Sequence, residues 1–157
     1  MFMAVKQKRE AEKVVREFRV DGKTVSFEGR IHGNGGGFAA AGADVEKSAY
    51  VGPKAAVLGG KVSGNARIED EARVFGGNVG GNAVVRDKAR VFGGWVCEDA
   101  VVGGTAHLVE GTLAGKFVLE GDAVFMYKDE VANVGRVRTG RVLDCCSYGT
   151  YLEIYMY

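Results

Sequence analysis

The residues able to do chemistry are few and scattered. Two histidines, His32 and His107, and three cysteines, Cys97 with the vicinal pair Cys145 and Cys146, are the candidates for proton transfer, metal ligation or nucleophilic attack. A nucleophile needs a base beside it and a third group to orient that base, and no grouping of Cys, His and acid in the sequence suggests one. The cysteines make neither a disulfide framework nor a CxxC site, and free thiols suit an intracellular chain. Acidic residues cluster in IEDEA (68–72) and VRDKA (85–89) without EF-hand spacing. Beside Lys and Arg they read as solvated charges paired with their neighbours. The run HGNGGG (32–37) lacks the Lys-Ser/Thr that completes a phosphate loop, and it does not lie between a parallel strand and a helix.

Composition narrows the partners. The chain of 157 residues is long enough for one cored domain with appendages. A net charge of +1 gives no basic field for nucleic acid. No apolar run approaches membrane-spanning length. Met1-Phe2-Met3-Ala4-Val5 leads at once into the charged run KQKREAEK, unlike a signal peptide. The expectation is a cytoplasmic protein of a bacterial host cell, with no nucleic-acid or membrane partner and no cofactor.

Three kinds of element must position whatever these residues do. Residues 3–18 space Ala4, Ala11, Val14, Val15 and Phe18 by three, four and seven, which predicts an amphipathic helix with a thin apolar face. REFRV-DG-KTVSFEG then predicts a β-hairpin, because Asp21-Gly22 tolerates the positive φ of a tight turn, although helix and first strand compete for residues 15–18. HGNGGG reads as a linker. These segments form an N-terminal unit over residues 1–37.

The third element is a repeat. From Val57 the chain reads VLGGK-VSGNAR-IEDEAR, from Val74 VFGGN-VGGNAV-VRDKAR and from Val91 VFGGW-VCEDAV-VGGTAH, a 17-residue period divided five, six and six. One period earlier stands AAGAD-VEKSAY-VGPKAA from Ala40, and one later LVEGT-LAGKFV-LEGDAV from Leu108. Each segment opens on an aliphatic residue, which implies one short strand with one buried side chain. Four residues on, the six-residue segments mostly carry Ala, as at Ala66, Ala83 and Ala100, small enough for a corner over the core. The Asn or Asp before it (Asn65, Asn82, Asp99, Asp122) suits a left-handed corner residue. The glycine pairs 59–60, 76–77 and 93–94 predict a tighter third corner, which is a use for 25 glycines against one proline. Three strands and three bends per coil make a triangular prism whose coils pair in parallel about 4.8 Å apart.

VSGNAR, IEDEAR, VRDKAR, VCEDAV and VGPKAA resemble the motif of the hexapeptide-repeat, left-handed β-helix superfamily, over residues 40–124. The five-residue segment departs from that family's usual eighteen-residue coil. AYVGPKAAV and the GNA-rich segments are similar to non-catalytic repeat proteins of bacteria and their phages. The resemblance implies an all-β, single-stranded, left-handed solenoid over residues 38–124. It also implies two enzymatic possibilities. A carbonic-anhydrase-type site would take three His ligands where this chain has two histidines in all. An acyltransferase using acetyl-CoA would take a His general base, commonly with a loop protruding from the coils, and no loop interrupts these five coils. His107 stands in register with Arg73 and Arg90, as one rung of a solvated polar ladder.

Past Val124 the register persists in Phe125, Val131, Val137 and Val142, enough for a further coil, before the Tyr-rich tail CCSYGTYLEIYMY; residues 125–157 read as that coil with a capping or oligomer-contact tail. The residue after the five-residue segment's aliphatic should point outward, and down the column it is Ala41, Leu58, Phe75, Phe92 and Val109, with Trp95 on the same segment as Phe92. Proteins seldom leave such a stripe in water. Either the N-terminal helix or hairpin covers it, or another subunit or protein does. The reading is a non-enzymatic interaction or assembly module, homo-oligomeric or bound to a protein partner, whose contact residues are Leu58, Phe75, Phe92, Trp95 and Val109. A phage-encoded inhibitor of a host protein and a structural component both fit it; the alternative is the acetyl-CoA-dependent acyltransferase.

Overall fold

The computed structural model of the chain describes residues 13–131, 136–138 and 141–143. Among these every element is a strand, and the organising feature is a β-solenoid of about five turns with 17-residue spacing. Its three faces are stacks of short parallel strands. The first includes Ala56–Val57, Arg73–Val74 and Arg90–Val91, the second Lys61–Val62, Asn78–Val79 and Trp95–Val96, the third Arg67–Ile68, Val84–Val85 and Val101–Val102. Pairing is in register at intervals of 17: Val57 on Val74, Val62 on Val79, Ile68 on Val85. The opening aliphatic of every segment from Val45 to Leu119 is at most 5% exposed, and each of the nine repeat alanines from Ala49 to Ala123 at most 1%. One branched side chain per strand and one methyl at two of the three corners fill the prism.

The corners show where the left-handed conformation sits. It is two residues after the aliphatic, at Gly64, Asp70, Gly81, Asp87, Glu98 and Gly104, with φ between 52° and 63°, and not at the Asn or Asp preceding each alanine. The acidic residues there have a further use. The Asp70 carboxylate accepts the N–H of Asp87 at 3.2 Å, that of Asp87 accepts the N–H of Gly104 at 2.9 Å, and that of Glu98 accepts the N–H of Gly115 at 2.6 Å. Each carboxylate offsets the strain of its own positive φ by satisfying a backbone donor one coil on.

The N-terminal unit departs from expectation. The helix expected over residues 3–18 is not formed where it can be judged: Val14–Val20 is strand β1, and residues 3–12 lie outside the described residues. A spacing of four, as from Val14 to Phe18, is common to the helical and the extended period, so both residues share a face either way. The β-branched Val14, Val15 and Val20 and the following turn decide for the strand. Asp21 (φ 48°) and Gly22 (φ 77°) form the expected two-residue turn into β2, Lys23–Ile31. β2 pairs antiparallel with β3, Phe38–Ala40, the first strand of the solenoid's first face. At Gly29 a Cβ would strike the Ala39 carbonyl oxygen and come within 2.7 Å of the Phe38 ring, so glycine permits β2 to approach β3 this closely.

The run at 32–37 connects hairpin to solenoid as packed structure. The Val51 N–H donates to the Asn34 carbonyl at 3.0 Å and the Gly37 N–H to the Val51 carbonyl at 2.9 Å, so the run lies against the first coil of the third face. The first coil also carries an extra residue, since Ala39 rather than Ala40 pairs with Val57.

At the other end the cross-section changes. The third corner has no glycine pair in the segment LVEGT, and His107–Leu113 runs as one strand through it, as Val124–Val131 does in the next coil. The wider interior is filled by larger side chains: Phe117 stands where earlier coils have alanine, Phe125 where they have valine, and the rings meet edge-on at 6.2 Å. Past Val124 the described strands keep to the register expected for a further coil, with Val131 on Leu113, Val137 on Leu119 and Val142 on Phe125. The Tyr-rich tail from 144 on lies outside the described residues.

Candidate functional site

The outward surface beside the glycine corner is set by strict alternation along V-F-G-G-x-V. Val74 and Val91 point in, so Phe75 and Phe92 point out. The chain then turns through Gly76-Gly77 and Gly93-Gly94, the second glycine of each pair at φ 78–79°, and comes back on the second face with Asn78 and Trp95 outward. The 17-residue register lays these residues into columns. The Phe75 and Phe92 rings stack at 4.9 Å, 6° from parallel.

The structure divides the five stripe residues expected from the sequence. Leu58 is buried, packed with Phe38, Ala40 and Ala56 beneath the hairpin, whose Val14, Phe18 and Phe27 close over it. Ala40 is the outward neighbour of Leu58 there, the place expected for Ala41. Phe75 lies at the rim of the same cluster, half-buried. Phe92, which reaches that cluster only through its stack on Phe75, and Val109 are half-buried, and Trp95, across the corner between Asn78 and Thr112, is 58% exposed. The hairpin therefore covers the lower stripe, and beyond it Trp95 is exposed while Phe92 and Val109 are partly covered.

Beside this column runs the expected polar ladder, Arg73 on Arg90 on His107. His107 meets the Phe92 ring edge-on at 5.7 Å. Burial against that ring, and then the charge of Arg90, push its imidazole below the usual histidine value. The unfolded imidazole titrates near the ordinary value, ~6.5. Between the two values the unfolded chain binds more protons, so stability is lost as pH falls through that window. Wild type should lose more of its unfolding midpoint between pH 7.5 and 5 than His107→Gln does; equal losses would show that His107 does not contribute. The other histidine is structural: buried His32 places Nε2 2.7 Å from the Ala49 carbonyl oxygen.

Two features of the outer surface were missed in the sequence. On the third face Val84, Val101 and Val118 form a second outward apolar column, legible as the residue before each aliphatic in AVV, AVV and FVL. Below it Tyr50, Pro53, Lys54, Arg67, Glu69 and Asp70 line a shallow, open hollow, in which Arg67 lies over the Tyr50 ring at 4.5 Å and is held by Glu69. Among the described residues no group of three His, Cys, Asp or Glu is placed to hold a metal ion. Set beside protein-family models, curated proteins and solved structures, the chain matches none of them.

Proposed function

We propose that the chain is a non-enzymatic interaction module of left-handed, hexapeptide-repeat type, in which the solenoid is a rigid support and the open upper stripe is the contact with a second protein or a second copy. The observation that carries this reading is Trp95, a large apolar side chain 58% exposed at a corner, continuous with the half-buried Phe92 and Val109. The coils of Phe75 and Phe92 turn through two glycines at that corner, and the hairpin's Val14, Phe18 and Phe27 pack on the Leu58 cluster rather than over these three. Aromatic side chains in such a position supply large contact area at small entropic cost.

The test is Phe92→Asp with Trp95→Asp. Both side chains lie on the outer surface, so the solenoid should keep its β-signal; Trp95→Asp alone, which leaves the Phe75–Phe92 stack in place, serves if the midpoint of the double variant falls. Two unpaired carboxylates in a dry contact cost roughly 3 kcal/mol or more, over a hundredfold in affinity. Light scattering should show a fall in mass for a self-contact, or pull-down should show loss of a bound protein. A variant that keeps both mass and partner would remove the stripe as the interface.

A further inference from the structure

The charges beside the open stripe are not balanced. Elsewhere on the solenoid, among the described residues, the arginines are paired, Arg67 with Glu69, Arg86 with Asp87, and Arg136 and Arg138 with Glu120, as is Lys61 with Asp44, while the lysines Lys47, Lys54, Lys88 and Lys116 stand unpaired on other faces. Around the first face Arg16, Arg19, Arg73 and Arg90 are in no such pair. Arg16 lies 5.8 Å over the Phe38 ring and Arg73 5.3 Å over that of Phe18, which leaves their charge without a carboxylate. Arg90 is half-buried in its ladder between Arg73 and His107, beside the column of Phe92, and its unneutralised charge acts on that imidazole.

The hairpin adds a second unused recognition element. The pair Val20 and Lys23 brackets a two-residue turn, which points the backbone groups of Val20, Phe18, Arg16 and Val14 at β2 and those of Arg19, Glu17 and Val15 away from it. This free edge looks along the solenoid's first face, because the Arg19 carbonyl on it accepts a bond from Arg73 Nη1 at 3.3 Å. One coil beyond Arg73 stand Arg90 and Phe92.

From this juxtaposition, and resting on the stripe as an interface, we infer that the partner presents an extended segment with a carboxylate flanked by apolar side chains. It adds as a strand along the free edge of β1, lays its apolar side chains on Phe92 and Val109, and places its carboxylate on Arg90. Backbone pairing supplies register and the guanidinium supplies selectivity. A single-stranded nucleic acid suits the site less well. One face of each Phe75 and Phe92 ring is taken by their mutual stacking, and the exposed Glu17 and Glu110 would oppose phosphates.

Trp95 is the chain's single tryptophan, so its emission reads the site directly. The probe is a pool of blocked heptapeptides with every position randomised, selected on the immobilised full chain. Recovered peptides should carry Asp or Glu beside β-branched or aromatic residues. They should shift Trp95 emission to shorter wavelength, and lose binding when alternate backbone nitrogens are methylated. Arg90→Glu, with an unchanged unfolding midpoint, should weaken them at least about tenfold and favour the Lys-for-Glu versions; Arg90→Gln serves if the reversal perturbs the fold. Recovered peptides without acids, an affinity indifferent to Arg90, or a Trp95 response to a twelve-residue thymidine oligonucleotide alone would overturn the inference. If peptides bind independently of Arg90 but are lost with Phe92→Asp, the stripe stands as an interface and only the acidic-strand partner falls.

Discussion

Gly77→Val should destabilise the solenoid by about 2–5 kcal/mol, lowering the thermal midpoint by roughly 10 °C for a chain of this size. Two costs combine. Gly77 sits at φ 79°, where a β-branched residue is strained by ~1–2 kcal/mol. Its Cβ would also fall on the Gly94 carbonyl oxygen and within 2.7 Å of the Gly93 carbonyl carbon, which are backbone atoms of the next coil that cannot move independently. Overpacking of that kind adds ~1–3 kcal/mol. Gly42 is the internal control: a Cβ there meets nothing within 4 Å, so Gly42→Ala should be within ~0.5 kcal/mol of neutral. If calorimetry finds the two variants equally stable, close stacking is not what glycine provides at this corner.

Phe117→Ala should cost about 3 kcal/mol or more. Alanine is the repeat's own residue at this position, so an argument from the repeat alone would call the change harmless. The cavity argument says the opposite, because the coil holding Phe117 has lost its glycine corner and the ring fills the extra width against Phe125. A denaturant midpoint unchanged by the substitution would mean that the wide coils close up around an alanine as the narrow ones do.

The repeat was legible because parallel stacking forces like residues onto like residues. Once Val57, Val74 and Val91 are seen at one spacing, their inward direction follows, and so does the outward direction of Phe75 and Phe92. The ladder of Arg73, Arg90 and His107 follows in the same way. What failed were choices between physically equivalent patterns. Val14 and Phe18 share a face in helix and strand alike, so local spacing cannot separate the two. The left-handed corner residue is Gly, Asp or Glu, while its neighbour is often Asn or Asp, so propensity points one position too far. The fate of Leu58 depended on a long-range contact, since nothing local says that Phe18 and Phe27, some thirty to forty residues earlier, fold onto it. For the same reason the unpaired arginines were invisible: which charges lack partners is decided only when the hairpin and the coils are brought together.

A stack of parallel strands is itself a template, and a bare end invites the next molecule to continue it into a fibre. At the N-terminal end this chain runs β2 antiparallel across β3, and closes the third face with the Asn34–Val51 pairing. The second face ends in a strand of two residues, Asp44–Val45, with its acidic side chain exposed. An incoming coil would find reversed polarity on one side, occupied backbone groups on another and an exposed carboxylate at the edge of the last. Growth by addition of a further parallel coil is thereby opposed at that end.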